Sequence, residues 1–171
     1  MRQLIAFLTI VLAALSISAP ANAQLFGPKN FIYEKGGYAI DGHDTVAYFD
    51  LDATALNDDG LPIPRAVDGD PQYSAEYQNA TWLFSSQENL DRFNEDPARY
   101  TPQYNGYCAY AVANGNLAKT NANAWRIVDG KLFLNFNNSI QRKWVRDIPG
   151  NIERADAEWE GLTSKLKPLD G

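Results

Sequence analysis

Two side chains in this sequence can do chemistry that no other residue duplicates: Cys108 is the only cysteine and His43 the only histidine. Cys108 lies in QYNGYCAYAVANG (Gln103–Gly115), close to Tyr104, Tyr107 and Tyr110. A thiol attacks disulfides or binds soft metals as its thiolate. A helix N-terminus favours that form, whereas burial favours the neutral thiol. Asn105 or Gly106 as the start, a run of good helix formers and Gly115 as the stop predict a helix with Cys108 at its second or third position. The flanking tyrosines predict burial instead, the usual fate of a free cysteine. The residue spacing leaves the balance between the two open. His43, in Gly42-His43-Asp44, can ligate a metal with Asp44 orienting its ring. Asp44 itself, near a turn, is expected to cap backbone N–H groups.

These residues support three functions. The first is metal handling, with copper or zinc held by Cys108 and His43. Two protein ligands are too few for a closed structural site, so the ion would be transient, or shared with a protein partner or across a homodimer. The second is thiol redox chemistry at Cys108. The chain has no resolving cysteine, so a partner thiol would have to restore it. The third is a non-catalytic module that binds another protein through its aromatic surface. No nucleophile elbow, phosphate loop, dinucleotide fingerprint or His-Glu-x-x-His motif is present, so the sequence marks neither an organic cofactor nor a defined enzyme class. Met1 is the only methionine, which argues against thioether copper sites. The remaining tyrosines are expected to pack, with hydroxyls on backbone carbonyls.

The chain opens with Arg2, an apolar run from Leu4 to about Ile17, and Ala21-Asn22-Ala23. This is the pattern of a signal peptide cleaved after Ala23, and it predicts a soluble, periplasmic protein. The apolar run is shorter than the roughly 18–20 residues that span a bilayer, so no membrane segment is expected after cleavage. The length of 171 residues fits one domain with a real core. A net charge of −6, which becomes more negative once Arg2 is lost, argues against nucleic acid or an anionic membrane as partner. A single cysteine allows no internal disulfide, so packing must hold the fold. Four tryptophans, nine tyrosines and eight phenylalanines are available for it.

The elements that must position Cys108 and His43 follow from periodicity. Residues 24–36 form a lead-in without clear period. Short extended pieces surround a turn at Gly42, and 51–70, rich in Asp, Pro and Gly, is expected to be a long surface loop. Alternation through Tyr73, Ala75 and Tyr77, a turn at Gln78-Asn79-Ala80, then Trp82 and Phe84 predicts a hairpin. Ser85 or Ser86 caps a helix with Leu90 and Phe93 on its buried stripe, stopped by Asp96-Pro97; one further turn follows. Asp129-Gly130 between two alternating runs predicts a second hairpin with a type I′ turn. Ile140, Trp144, Ile148, Ile152, Ala155, Trp159, Leu162 and Leu166 predict two helices divided near Pro149. The expected fold is a small α+β domain: two β-hairpins and several helices around an aromatic core.

The stretch from Tyr73 to Val112 resembles the YHS-domain family, specifically its exported single-domain branch. The pieces that carry the resemblance are Gly42–Phe49, Phe84–Asn89, Asp96–Tyr100 and Pro102–Val112, with 124–137 and 147–159 similar to that branch's C-terminal extension. The resemblance divides the chain into a signal peptide (1–23), a lead-in (24–36) and a YHS-like domain with a helical extension (37–171). It implies metal binding, which in the wider family goes through three cysteines. Here Ala47, Ser85 and Asn89 stand at those positions, so a thiolate cluster is not implied. The branch keeps the thiol at Cys108, and usually has an aromatic residue where this chain has His43.

Overall fold

The computed structural model describes residues 31–164; the expected signal peptide, 1–23, and Leu166 lie outside them. Three antiparallel hairpins and five helices make up the described chain. The first hairpin is minimal, pairing β1 (Glu34–Lys35) with β2 (Tyr38–Ala39) across Gly36 and Gly37. β2 falls within the short extended pieces expected around Gly42, whereas β1 lies in the lead-in without clear period, so this hairpin stands beside the two that were expected.

The second hairpin joins β3 (Asp70–Tyr77) to β4 (Ala80–Phe84), with Tyr77 opposite Ala80. Gln78 and Asn79 both have positive φ, 52° and 58°, as a tight type I′ turn requires, so Ala80 belongs to the strand rather than the turn. The third joins β5 (Asn121–Val128) to β6 (Lys131–Asn135) around Asp129 and Gly130, φ 50° and 72°.

The helices start where polar side chains satisfy free amides. Ser86 accepts from the Asn89 amide to open α1 (Gln87–Glu95), and Asp96 accepts from Arg99 to open α2 (Pro97–Tyr100). A short α3 (Ala109–Val112) precedes the third hairpin. Asn137 caps α4 (Asn138–Trp144), and Asp147 caps α5 (Ile148–Thr163), with Pro149 in the first turn of α5. The chain therefore divides its C-terminal helices at the expected proline.

Strand β6 separates two cores. Leu132 and Leu134 face a cluster with Ile40, Tyr48, Trp82, Phe84, Phe93 and Trp125; Phe133, pointing the other way, packs with Tyr104, Val112, Trp144 and Ala155. The period of two along a strand makes this division: one strand buried on both faces serves both cores. Residues 51–69 contain little regular structure, as expected, yet they are tied down. Trp125 Nε1 donates to the Pro64 carbonyl at 2.9 Å, the Ala66 amide donates to Asn123 Oδ1 at 3.0 Å, and Leu61 is buried. Among the described residues, no helix is long and apolar enough to cross a membrane.

Candidate functional site

Asp44 is fully buried, and five donors converge on it. Its Oδ1 accepts the amides of Val46 (2.9 Å) and Ala47 (3.1 Å); its Oδ2 accepts the Ser85 amide (2.8 Å), the Ser85 hydroxyl (2.7 Å) and Asn89 Nδ2 (2.7 Å). The turn after Asp44 supplies the first pair, and the junction of β4 with α1 supplies the rest. The expected capping role is present and extends to a distant segment. Ala47, Ser85 and Asn89, the three positions at which the resemblance would place cysteines, thus meet around one carboxylate. Sequence reasoning noted each substitution singly and missed the replacement as a unit. Asn89 occupies the buried face of α1 for this reason, while Leu90 is only half buried.

Cys108 does not sit inside a helix that starts at Asn105. Tyr104, Asn105 and Gly106 all have positive φ (55°, 52° and 83°), which interrupts any helix. This turn is held by the Tyr33 amide on the Asn105 carbonyl (2.8 Å) and by Thr120 Oγ1 on the Gly106 carbonyl (2.9 Å). A side chain at position 106 would collide with Ile40 Cδ1, so glycine is required there. Cys108 becomes the extended residue that caps the four-residue α3, and its own amide donates to the Ala118 carbonyl at 3.0 Å.

The thiol is 1% exposed. Its Sγ accepts the Phe136 amide at 3.2 Å and lies 3.9 Å from Asn135 Oδ1, to which S–H can donate. Burial pushes the Cys108 pKa up; the amides of Ala111, Phe136 and Tyr110 pull the other way without overcoming it. So short a helix adds little dipole, and the balance left open by the sequence falls on the side of the neutral thiol. The tyrosines around it pack as expected. Tyr104 donates to Asp156 at 2.9 Å and stacks edge-on with Trp159, and Tyr107 stacks edge-on with Tyr33.

His43 lies at the surface end of the same segment as Asp44, but Asp44 does not orient its ring. Nδ1 is 3.1 Å from the Ile40 carbonyl, and Nε2 is 3.3 Å from Asp68 Oδ1. A carbonyl can only accept, so the tautomer that suits this contact carries its proton on Nδ1 and leaves the lone pair on Nε2. The His43 side chain is 17% exposed and that of Asp68 91%. An open cavity of about 470 Å³ borders His43, lined among others by Tyr33, Lys35, Lys119 and Phe136.

The polar contacts of His43 and of Cys108 involve different partners, so no hydrogen bond joins the two candidates. Among the described residues, no three His, Cys, Asp or Glu side chains cluster as a metal site. The Asp44 cage does not fit a soft cation, because its one carboxylate is saturated and every other group donates. The His43–Asp68 pair brings together two ligand types that a borderline cation takes, an imidazole nitrogen and a carboxylate, with the second ring nitrogen on a backbone carbonyl; it is short of a closed site by two ligands.

Residues 65–104 are a YHS domain by match to that family's model. The span covers β3 to α2 and ends at Tyr104, short of Cys108 and beyond His43 and Asp44. YHS domains are linked to metal handling, copper in particular. No curated protein and no solved structure matches the chain.

Proposed function

We propose that the chain is an exported YHS-domain protein that handles a transition metal, copper or zinc, at an open site built on His43 and Asp68. The observation that carries the reading is the 3.3 Å separation of Nε2 and Asp68 Oδ1, with Nδ1 held on the Ile40 carbonyl. Two ligands with bonds of about 2.0–2.1 Å in tetrahedral array stand about 3.3 Å apart, so the separation of these two atoms matches that of two ligands on a zinc-like ion. An imidazole–carboxylate pair suits zinc(II) or copper(II) better than copper(I), which prefers thiolates and thioethers. Two positions stay open, so the ion exchanges readily, or is completed by a protein partner or a second copy of the chain.

In this reading Cys108 is a packed thiol that supports the wall behind Phe136. Its burial speaks against attack on a partner disulfide as well as against metal capture. Export rests on the pattern of Met1–Ala23. Titration calorimetry with zinc(II) and copper(II) tests the assignment. His43→Ala and Asp68→Asn are expected to weaken binding at least about tenfold, the scale of one lost ligand, with Cys108→Ser unchanged. Loss of binding in Cys108→Ser with retention in His43→Ala overturns it.

A further inference from the structure

The cavity beside His43 has a polarity unlike that of the chain as a whole. The protein carries a net charge of −6, yet two lysines, Lys35 and Lys119, line this cavity against one carboxylate, Asp41. Asp41 is already taken, 2.5 Å from Lys35 Nζ. Lys119 has no ion-pair partner among the described residues; its Nζ stands 5.7 Å from the centre of the Phe136 ring. Asn121 and Asn123 also line the cavity, and the oxygen of each is engaged, Asn121 Oδ1 by the Asn123 amide (2.9 Å) and Asn123 Oδ1 by the Ala66 amide (3.0 Å). Among the described residues, no hydrogen bond engages the NH₂ group of either. The unsatisfied capacity of the cavity is therefore an excess of donors and one cation, beside an apolar wall from Phe136, which is 38% exposed.

We infer that this cavity binds a small organic carboxylate, its charge on Lys119 and the asparagine amides, its apolar body against Phe136 and Tyr33. The volume of about 470 Å³ falls within the range of small-molecule sites, roughly 300–1,000 Å³. Phosphate is the less suitable anion, because the cavity lacks both an arginine fork and a helix N-terminus. The site goes beyond the metal reading and does not depend on it: Asp68 completes the metal pair but does not line the cavity.

The test uses the exported chain, stripped of metal on a chelating resin, titrated with benzoate, benzamide and inorganic phosphate and followed by amide NMR shifts. Benzoate is expected to shift resonances around residues 119–123 and to bind at least about tenfold tighter than benzamide, the scale of one charge-assisted contact. Lys119→Gln is expected to weaken benzoate by a similar factor, whereas Lys131→Gln, at the tip of the β5–β6 hairpin, leaves it unchanged. Asp68→Asn should keep benzoate binding while losing metal, so the two proposals can fail separately. Absence of benzoate binding, equal binding of benzamide, indifference to Lys119→Gln, or phosphate binding tighter than benzoate each overturns the inference.

Discussion

Replacing Asp44 by asparagine changes almost no volume, yet it should be among the most damaging substitutions in the chain. The carboxylate is fully buried and accepts from five donors at 2.7–3.1 Å. An asparagine that keeps its oxygen toward Val46 and Ala47 turns its NH₂ group toward the Ser85 amide, the Ser85 hydroxyl and Asn89 Nδ2. The Ser85 hydroxyl can rotate to accept; the Ser85 amide cannot, and Asn89 can flip its amide only by turning Oδ1 away from Arg92, so two hydrogen bonds are lost in either case. Two hydrogen bonds to a charged acceptor, at about 1.5–3 kcal/mol each, amount to about 3–6 kcal/mol. That is a large share of a typical stability of about 5–15 kcal/mol. The assay is urea unfolding followed by tryptophan fluorescence, with Asn89→Ala and the double variant completing a cycle. Asn89→Ala alone removes one donor and should cost less, and the double variant should cost less than the sum of the two, because they share a bond. A cost below about 1 kcal/mol for Asp44→Asn would refute the view that this carboxylate ties the Val46 turn to the start of α1.

Iodoacetamide should label Cys108 rapidly in denaturant and very slowly in the native chain; fast native labelling contradicts the packed thiol. Burial raises the pKa of Cys108, Tyr48 and Tyr104 above their ordinary values, with the Asp156 hydrogen bond adding to the effect at Tyr104. Groups raised by folding stabilise the native state below their unfolded pKa and lose that contribution as pH rises. The Tm should thus fall above about pH 8.5 and more steeply above about 10, and a Tm that rises through this window opposes the assignment. Trp144→Ala, at a fully buried position in the second core, should cost about 3–5 kcal/mol in the same urea melts; a cost under 1 kcal/mol would mean that this core is not cooperative with the rest. Intact mass of the exported protein should correspond to a chain starting at Gln24, and a mass that retains Met1–Ala23 contradicts export by cleavage.

Features whose cause is local could be read from the sequence. Asp129-Gly130 and the strands it joins, the cap at Ser86, the stop at Asp96-Pro97 and the helix division at Pro149 each depend on neighbours within a few residues. The site is different, because its contacts are long-range. Asp44 meets Ser85 and Asn89 across 41 and 45 positions, and no local pattern announces that pairing. His43 meets Asp68 from within a loop whose composition suggested only solvent. The error at Cys108 has a physical origin too. Good helix formers after a start at Asn105 or Gly106 predict a helix that includes Cys108, but contacts from Tyr33, Thr120 and Ile40 hold Tyr104-Asn105-Gly106 in left-handed geometry and shorten the helix to four residues. Propensity yielded to tertiary contact, and the balance between activation and burial that the spacing leaves open falls to the packed thiol.

X-ray absorption of the zinc-loaded chain tests the metal assignment most directly, because nitrogen or oxygen and sulfur lie at different distances from the ion. Coordination through His43 and Asp68 predicts a first shell of light atoms alone, at about 2.0–2.2 Å, with the imidazole signature lost in His43→Ala. A scatterer at about 2.3 Å that disappears in Cys108→Ser would show the thiolate on the metal, and would contradict both the open His43 site and the packed cysteine.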